Sequence, residues 1–102
     1  MSFRFRELCI DKVGVVGSGN IGPDIALFFA KAFHAYDVPV VVVDVSEDAV
    51  ARGRAKAEQK IGKGRESGAF KPEAADAMLR ALTFTTDDAQ LAGASLVIEA
   101  AT

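Results

Sequence analysis

Gly17-Ser18-Gly19-Asn20-Ile21-Gly22 follows the apolar run Val13-Gly14-Val15-Val16 and leads into an apolar helical segment. Glycines at these spacings suit the cradling of a pyrophosphate. Gly17 permits a tight turn out of a strand, Gly19 lets a diphosphate approach the backbone, and Gly22 lets a helix pack close to the sheet. Ser18, Asn20 and Ile21 would add backbone or side-chain contacts. The unpaired N–H groups and positive end of the following helix meet the phosphate charge. A purely structural glycine turn is the other reading. Its context argues for the ligand: a strand precedes, a helix follows, and a second strand ends in an acid. That acid, Asp44, stands 22 positions after Gly22, a spacing at which a carboxylate takes the adenosine ribose hydroxyls. A carboxylate there repels a 2′-phosphate, and no Arg or Lys occurs in the following VSEDAVA to offset it. NAD is therefore favoured over NADP. The plain alternative is that Asp44 simply ends its strand as a turn residue.

Pro23 and Asp24 follow the third glycine. With a helix starting near Asn20, Pro23 falls at the end of the first turn, where it removes an early hydrogen bond. Asp24 suits the helix dipole but opposes a pyrophosphate if turned inward, so it is expected to point away.

The elements that must hold these residues alternate between strand and helix. Residues 13–16 read as a buried strand, and residues 21–36 as a helix with Ile25, Phe28, Phe29, Ala32 and Phe33 on one apolar face. Asp37-Val38-Pro39 breaks that helix. The β-branched run VVVVD, 40–44, shows no polar alternation, as a strand covered on both faces requires. Ser46 caps a second helix, running to about Glu66, with Glu47 and Asp48 in its first turn. Gly62, Gly64 and Gly68 weaken its end. Pro72 opens a third helix with Met78, Leu79 and Leu82 as its stripe. TFTT, 83–86, is a weak strand and SLVIEA, 95–100, a clear one, with a short helix between.

Strands separated by helices imply right-handed crossovers and a parallel sheet. The expected fold is α/β: a Rossmann-like doubly wound parallel sheet of about four strands, the first half to two-thirds of the complete form. A long helical hairpin lies between its second and third strands. Residues 1–10 form an extension whose Phe3 and Phe5 alternate as in a short strand, and residues 11–102 form the dinucleotide-binding domain. The last strand is expected at an edge, with an exposed apolar face.

Composition narrows the function. The chain has 102 residues, a net charge of −2 and one cysteine. That suits one small domain and gives no reason to expect nucleic acid or a membrane surface as partner. Cys9 is alone, so an internal disulfide is excluded and a reduced, cytoplasmic compartment is the default. No apolar run spans a bilayer, and MSFRFRELC lacks the apolar stretch of a secretory signal.

KVGVVGSGNIGPDIALFFA, VVVVDVSEDAVARGRAKAEQKIGK and LTFTTDDAQLAGASLVIEAAT resemble successive segments of the N-terminal part of 3-hydroxyacyl-CoA dehydrogenases. The resemblance covers nearly all of the chain beyond about residue 10. It implies an oxidoreductase of fatty-acid metabolism, with a hydride passing from the C3 hydroxyl carbon of a 3-hydroxyacyl-CoA to NAD. It also implies that Ala100 and Ala101 leave room for the nicotinamide ribose, with Glu99 at a strand end near the cofactor. Arg52, Lys56, Lys60 and Lys63, spaced 4, 4 and 3 apart, line one side of the second helix, with Arg54 and Arg65 nearby. The resemblance makes Lys56, Lys60 and Lys63 the receivers of the phosphates of an acyl-CoA; a solvated helix face is the alternative. The family usually carries glycine where Asp24 stands, and a short glycine turn where this chain has AFHAYDVP. The family's catalytic His and Glu match nothing here. The one histidine, His34, reads as a helix-end residue, so no catalytic role is assigned and the isolated chain is expected to be inactive.

Two other functions fit the same front half. One is another NAD-dependent dehydrogenase, acting on a hydroxy acid or sugar acid. The other is a non-catalytic nucleotide-binding or assembly module, with the last strand pairing in a homodimer or with a further region.

Overall fold

The structure is a computed structural model that describes residues 3–5, 8–17 and 22–100. The extension forms a short antiparallel hairpin of β1 (Phe3–Phe5) and β2 (Leu8–Ile10), with Phe3 opposite Ile10. The strand expected around Phe3 and Phe5 is thus one arm of a hairpin, and Ile10 at its end enters the main core.

Four parallel strands make the sheet: β3 (Val13–Val16), β4 (Val40–Val43), β5 (Leu82–Thr85) and β6 (Leu96–Glu99), in the spatial order β5-β4-β3-β6. The first of these in chain order, β3, lies inside, flanked by the second and the fourth. The chain therefore reverses its progress across the sheet between β3 and β6, which is the switch point of a doubly wound fold. The register is continuous. Val16 pairs with Val43 and Glu99, and Val43 with Thr85, so the C-terminal strand ends lie level.

Alternation along the strands divides the sheet into two faces. Val13, Val15, Val40, Val42 and Phe84 form the main core with Ala26, Val50 and Ala57 from two helices. These are α1 (Gly22–Phe33) and α2 (Glu47–Glu66). β4 is buried at all four positions, as its unbroken β-branched sequence requires. Gly14 lies on the opposite face, against Leu91, Ala94 and Val97, where the 3-10 turn Asp88–Leu91 covers the sheet.

Ala30, Ile61, Ala75 and Met78 form a second cluster, joining α1 and α2 to α3 (Pro72–Ala81). Two expected helix faces shift. In α1 the inward row is Ile25, Ala26, Phe29, Ala30 and Phe33. Phe28 is 64% exposed and Ala32 is also exposed. At 100° per residue those two lie on the flank, and the small alanines take the close contact with the sheet. In α3 the stripe is Ala75 and Met78, Leu79 is exposed, and Leu82 is the first residue of β5. Strands expected at 83–86 and 95–100 are observed one residue earlier and shorter, respectively. β5 and β6 are the two edge strands, and Val97 of β6 is 52% exposed.

Candidate functional site

The glycine loop leaves the sheet at the switch point. Gly17 has φ +103°, backbone that side-chain-bearing residues rarely adopt, and its N–H donates to the Val43 carbonyl at 2.7 Å. The tight turn is thus tied to the neighbouring strand. At the far end of the loop, a Cβ on Gly22 would lie 1.9 Å from the Gly17 carbonyl oxygen. Only a residue without a side chain permits α1 to start so close to the end of β3. Ser18, Gly19, Asn20 and Ile21, the remaining members of the loop, lie outside the described residues, as does Ala101.

Helix α1 is described over Gly22–Phe33. Pro23 is the second residue of the described helix. It is fully buried, so the ring packs rather than disrupts.

Asp44 follows β4 directly. Its N–H donates to the Thr85 carbonyl at 3.2 Å, and its Oδ1 accepts from the Ser46 N–H at 3.0 Å. Ser46 in turn accepts from the Ala49 N–H at 3.2 Å and caps α2. The carboxylate is thereby fixed in a side-chain turn, half-buried, at the same end of the sheet as Gly17. The turn and the ribose readings share one geometry, because the turn orients the carboxylate. Ala100 completes the row. Its N–H donates to the Val16 carbonyl at 2.7 Å, while Glu99 beside it is exposed. Gly17, Asp44 and Ala100 each follow a register partner, Val16, Val43 and Glu99, so three adjacent strands deliver them side by side. A glycine turn, a helix start and an oriented carboxylate at a switch point are the parts that hold a diphosphate and a ribose. The close approach at Gly22 fits such a cradle.

The lysines of α2 divide. Lys60 and Lys56 both donate to the Asp24 carboxylate, Lys60 to Oδ1 and Lys56 to Oδ2 at 3.3 Å. The bond from Lys60 holds the Asp24 carboxyl below the ordinary carboxylate value; slight desolvation opposes it, and Lys56 reinforces it. Lys63 is exposed and enters no ion pair among the described residues. Arg54 leaves the ridge: its guanidinium donates to the Phe84 carbonyl at 2.7 Å and braces β5. Arg65 pairs with Asp76 of α3 at 3.5 Å. Sequence reasoning treated Asp24 as a concern for the loop and missed it as the partner of α2, a pairing across 32 and 36 positions that no local pattern encodes.

His34 lies at the opposite end of the sheet, in the 3-10 turn between α1 and β4. It lines two shallow clefts there, of about 220 and 280 Å³, away from Gly17 and Asp44. Among the described residues no cluster of His, Cys, Asp or Glu could hold a metal ion, and no described helix is long and apolar enough to cross a membrane.

Residues 12–102 match the family model for the 3-hydroxyacyl-CoA dehydrogenase NAD-binding domain. A 3-hydroxybutyryl-CoA dehydrogenase of Mycobacterium tuberculosis is 36% identical over 91 residues, which are 89% of this chain and 30% of the relative. The crystal structure of an Escherichia coli 3-hydroxybutyryl-CoA dehydrogenase superposes with a TM-score of 0.83 at 33% identity, over 93% of this chain and 19% of that one. The (S)-3-hydroxybutyryl-CoA dehydrogenase of Ralstonia eutropha gives 0.80 at 30% identity, over 91% and 31%. The chain thus spans about a third or less of the proteins it resembles. The match includes the glycine turn, Asp44 and all four parallel strands, and the chain belongs to the 3-hydroxyacyl-CoA dehydrogenase NAD-binding domain family.

Proposed function

We propose that this chain is the NAD-binding portion of a dehydrogenase that oxidises 3-hydroxyacyl-CoA to 3-ketoacyl-CoA in cytoplasmic fatty-acid metabolism. The observation that carries the reading is the row of Gly17, Asp44 and Ala100 at the switch point, with Gly22 held against Gly17. In this reading the loop from Gly17 to Gly22, with Ser18, Gly19, Asn20 and Ile21, holds the pyrophosphate. Asp44 takes the adenosine ribose hydroxyls, and Ala100 and Ala101 leave room for the nicotinamide ribose. NAD supplies the acceptor for the hydride leaving C3 of the substrate. Lys56, Lys60 and Lys63 offer the cationic face for the phosphates of the acyl-CoA.

The chain's own residues bind and orient but do not supply the base that takes the hydroxyl proton. Its one histidine sits at the other end of the sheet from Gly17. Association supports the missing chemistry: β6 presents an edge with Val97 half-exposed, whereas the outer Phe84 carbonyl on β5 is taken by Arg54. Further sheet, or a second copy of the chain, would add at β6. Calorimetric titration of the purified chain with NAD and NADP tests the cofactor part. The expected result is binding of NAD in preference to NADP, with no NADH formed from 3-hydroxybutyryl-CoA by the chain alone. Equal binding of both, or of neither, rejects the assignment of Asp44, and turnover by the isolated chain rejects the division of labour.

A further inference from the structure

We propose that Asp24 is a built-in competitor for the anion that the α2 ridge receives, so that it lowers this chain's affinity for the phosphates of an acyl-CoA while leaving the rest of that ligand unaffected. The inference rests on the reading of Lys56 and Lys60 as phosphate receivers. It goes beyond that reading by naming the residue that tunes them.

Lys56 and Lys60 stand one helical turn apart and converge on a single carboxylate, one on each oxygen. One negative charge from the first turn of α1 therefore engages two positive charges of α2, and exposed Lys63 stands a turn further along the same helix. Lys56, Lys60 and Asp24 have side-chain exposures of 36%, 45% and 46%, so a dissolved anion reaches the same ammonium groups. Ion pairs exposed to this degree are weak and yield readily. A phosphate dianion carries more charge and more acceptor oxygens than a carboxylate, so it displaces Asp24 rather than joining it. Displacement costs the ligand the two existing bonds, and it places the freed Asp24 charge beside the incoming phosphate. Both effects reduce affinity, and both vanish when residue 24 is neutral. A ligand part without charge has no competitor here.

The test is calorimetric titration of the full chain and of Asp24→Asn with coenzyme A and, separately, with pantetheine, at low and high salt. Asp24→Asn is expected to bind coenzyme A about three- to fivefold more tightly than the parent chain at low salt, in keeping with the weakness of exposed ion pairs. The gain shrinks at about 0.5 M salt as screening shortens. Pantetheine, which carries no phosphate, binds both alike, and Asp24→Glu stays within about twofold of the parent. Asp24→Ser, well suited to a first helical turn, is a second neutral variant, and thermal melting shows that each is folded. Equal coenzyme A affinity in parent and neutral variants, with affinity still lost in Lys60→Gln, overturns the inference and leaves the lysine reading standing. An equal gain for pantetheine overturns it in favour of a change in helix packing. Coenzyme A binding to none of the variants, while NAD binds, overturns both the inference and the assignment of the ridge.

Discussion

The Cβ that any other residue would place on Gly22 falls 1.9 Å from the carbonyl oxygen of Gly17, far inside the contact distance of a non-bonded carbon and oxygen. The obstacle is backbone at the end of β3, held by the Gly17–Val43 hydrogen bond, so it cannot swing aside as a side chain would. Gly22→Ala is expected to destabilise the chain by about 1–3 kcal/mol, as overpacking against a fixed backbone does, and to abolish NAD binding. Urea unfolding and an NAD titration measure the two effects. Wild-type stability in the variant would show that the start of α1 moves freely relative to Gly17.

Asp44 has two tasks that different substitutions separate. Asp44→Asn keeps an oxygen for the Ser46 N–H but loses the charge. It should retain most of the stability and weaken NAD binding about tenfold, the worth of a charge-assisted hydrogen bond. Discrimination against NADP should fall with it, because the carboxylate no longer repels a 2′-phosphate. Asp44→Ala should also lose the turn and cost a further ~1 kcal/mol of stability. Paired NAD and NADP titrations with a melting curve for each variant decide the matter.

The Asp24 pairs predict a dependence on acid. Because the folded protein holds this carboxyl below its ordinary value of 3.8, the pairing stabilises the fold above that pH and is lost as pH falls through the lower native value. Asp24→Asn should be less stable than the parent at neutral pH by no more than about 1 kcal/mol, given the exposure of all three side chains. The two stability curves should meet below pH 3.8. Urea midpoints measured from pH 7 downward test this; a constant gap would assign the effect to helix propensity.

Arg54 closes one edge of the sheet. Its guanidinium donates to the outward carbonyl of Phe84, a group that would otherwise be open to another strand. Arg54→Ala should cost about 1 kcal/mol and raise self-association through β5. Light scattering against concentration reads the second effect. If association instead responds to Val97→Lys alone, contact runs through β6.

The periodicities and glycine spacings are local properties, and they sufficed for the parallel α/β fold, the helical hairpin, the cap at Ser46 and the position of Asp44 after its strand. The matching of Gly22 to Gly17 was legible as a spacing, since only four residues separate them in the chain. What the sequence could not settle were relations between distant residues of similar local character. Phe28 and Ala32 look as apolar as Phe29 and Ala30, and only the approach of the sheet selects the row that is buried. Pro23 reads as a helix disturbance in isolation, and it is the packing around it that buries its ring completely. Arg54 and Lys56 belong to one basic stretch, yet one reaches a strand edge and the other a carboxylate on α1. The chain determined by itself which residues could carry charge, turn or cap. Packing α1 and α2 over the sheet decided which charges meet, because Coulomb attraction and hydrogen bonding act over a few ångströms of space and are indifferent to separation along the chain.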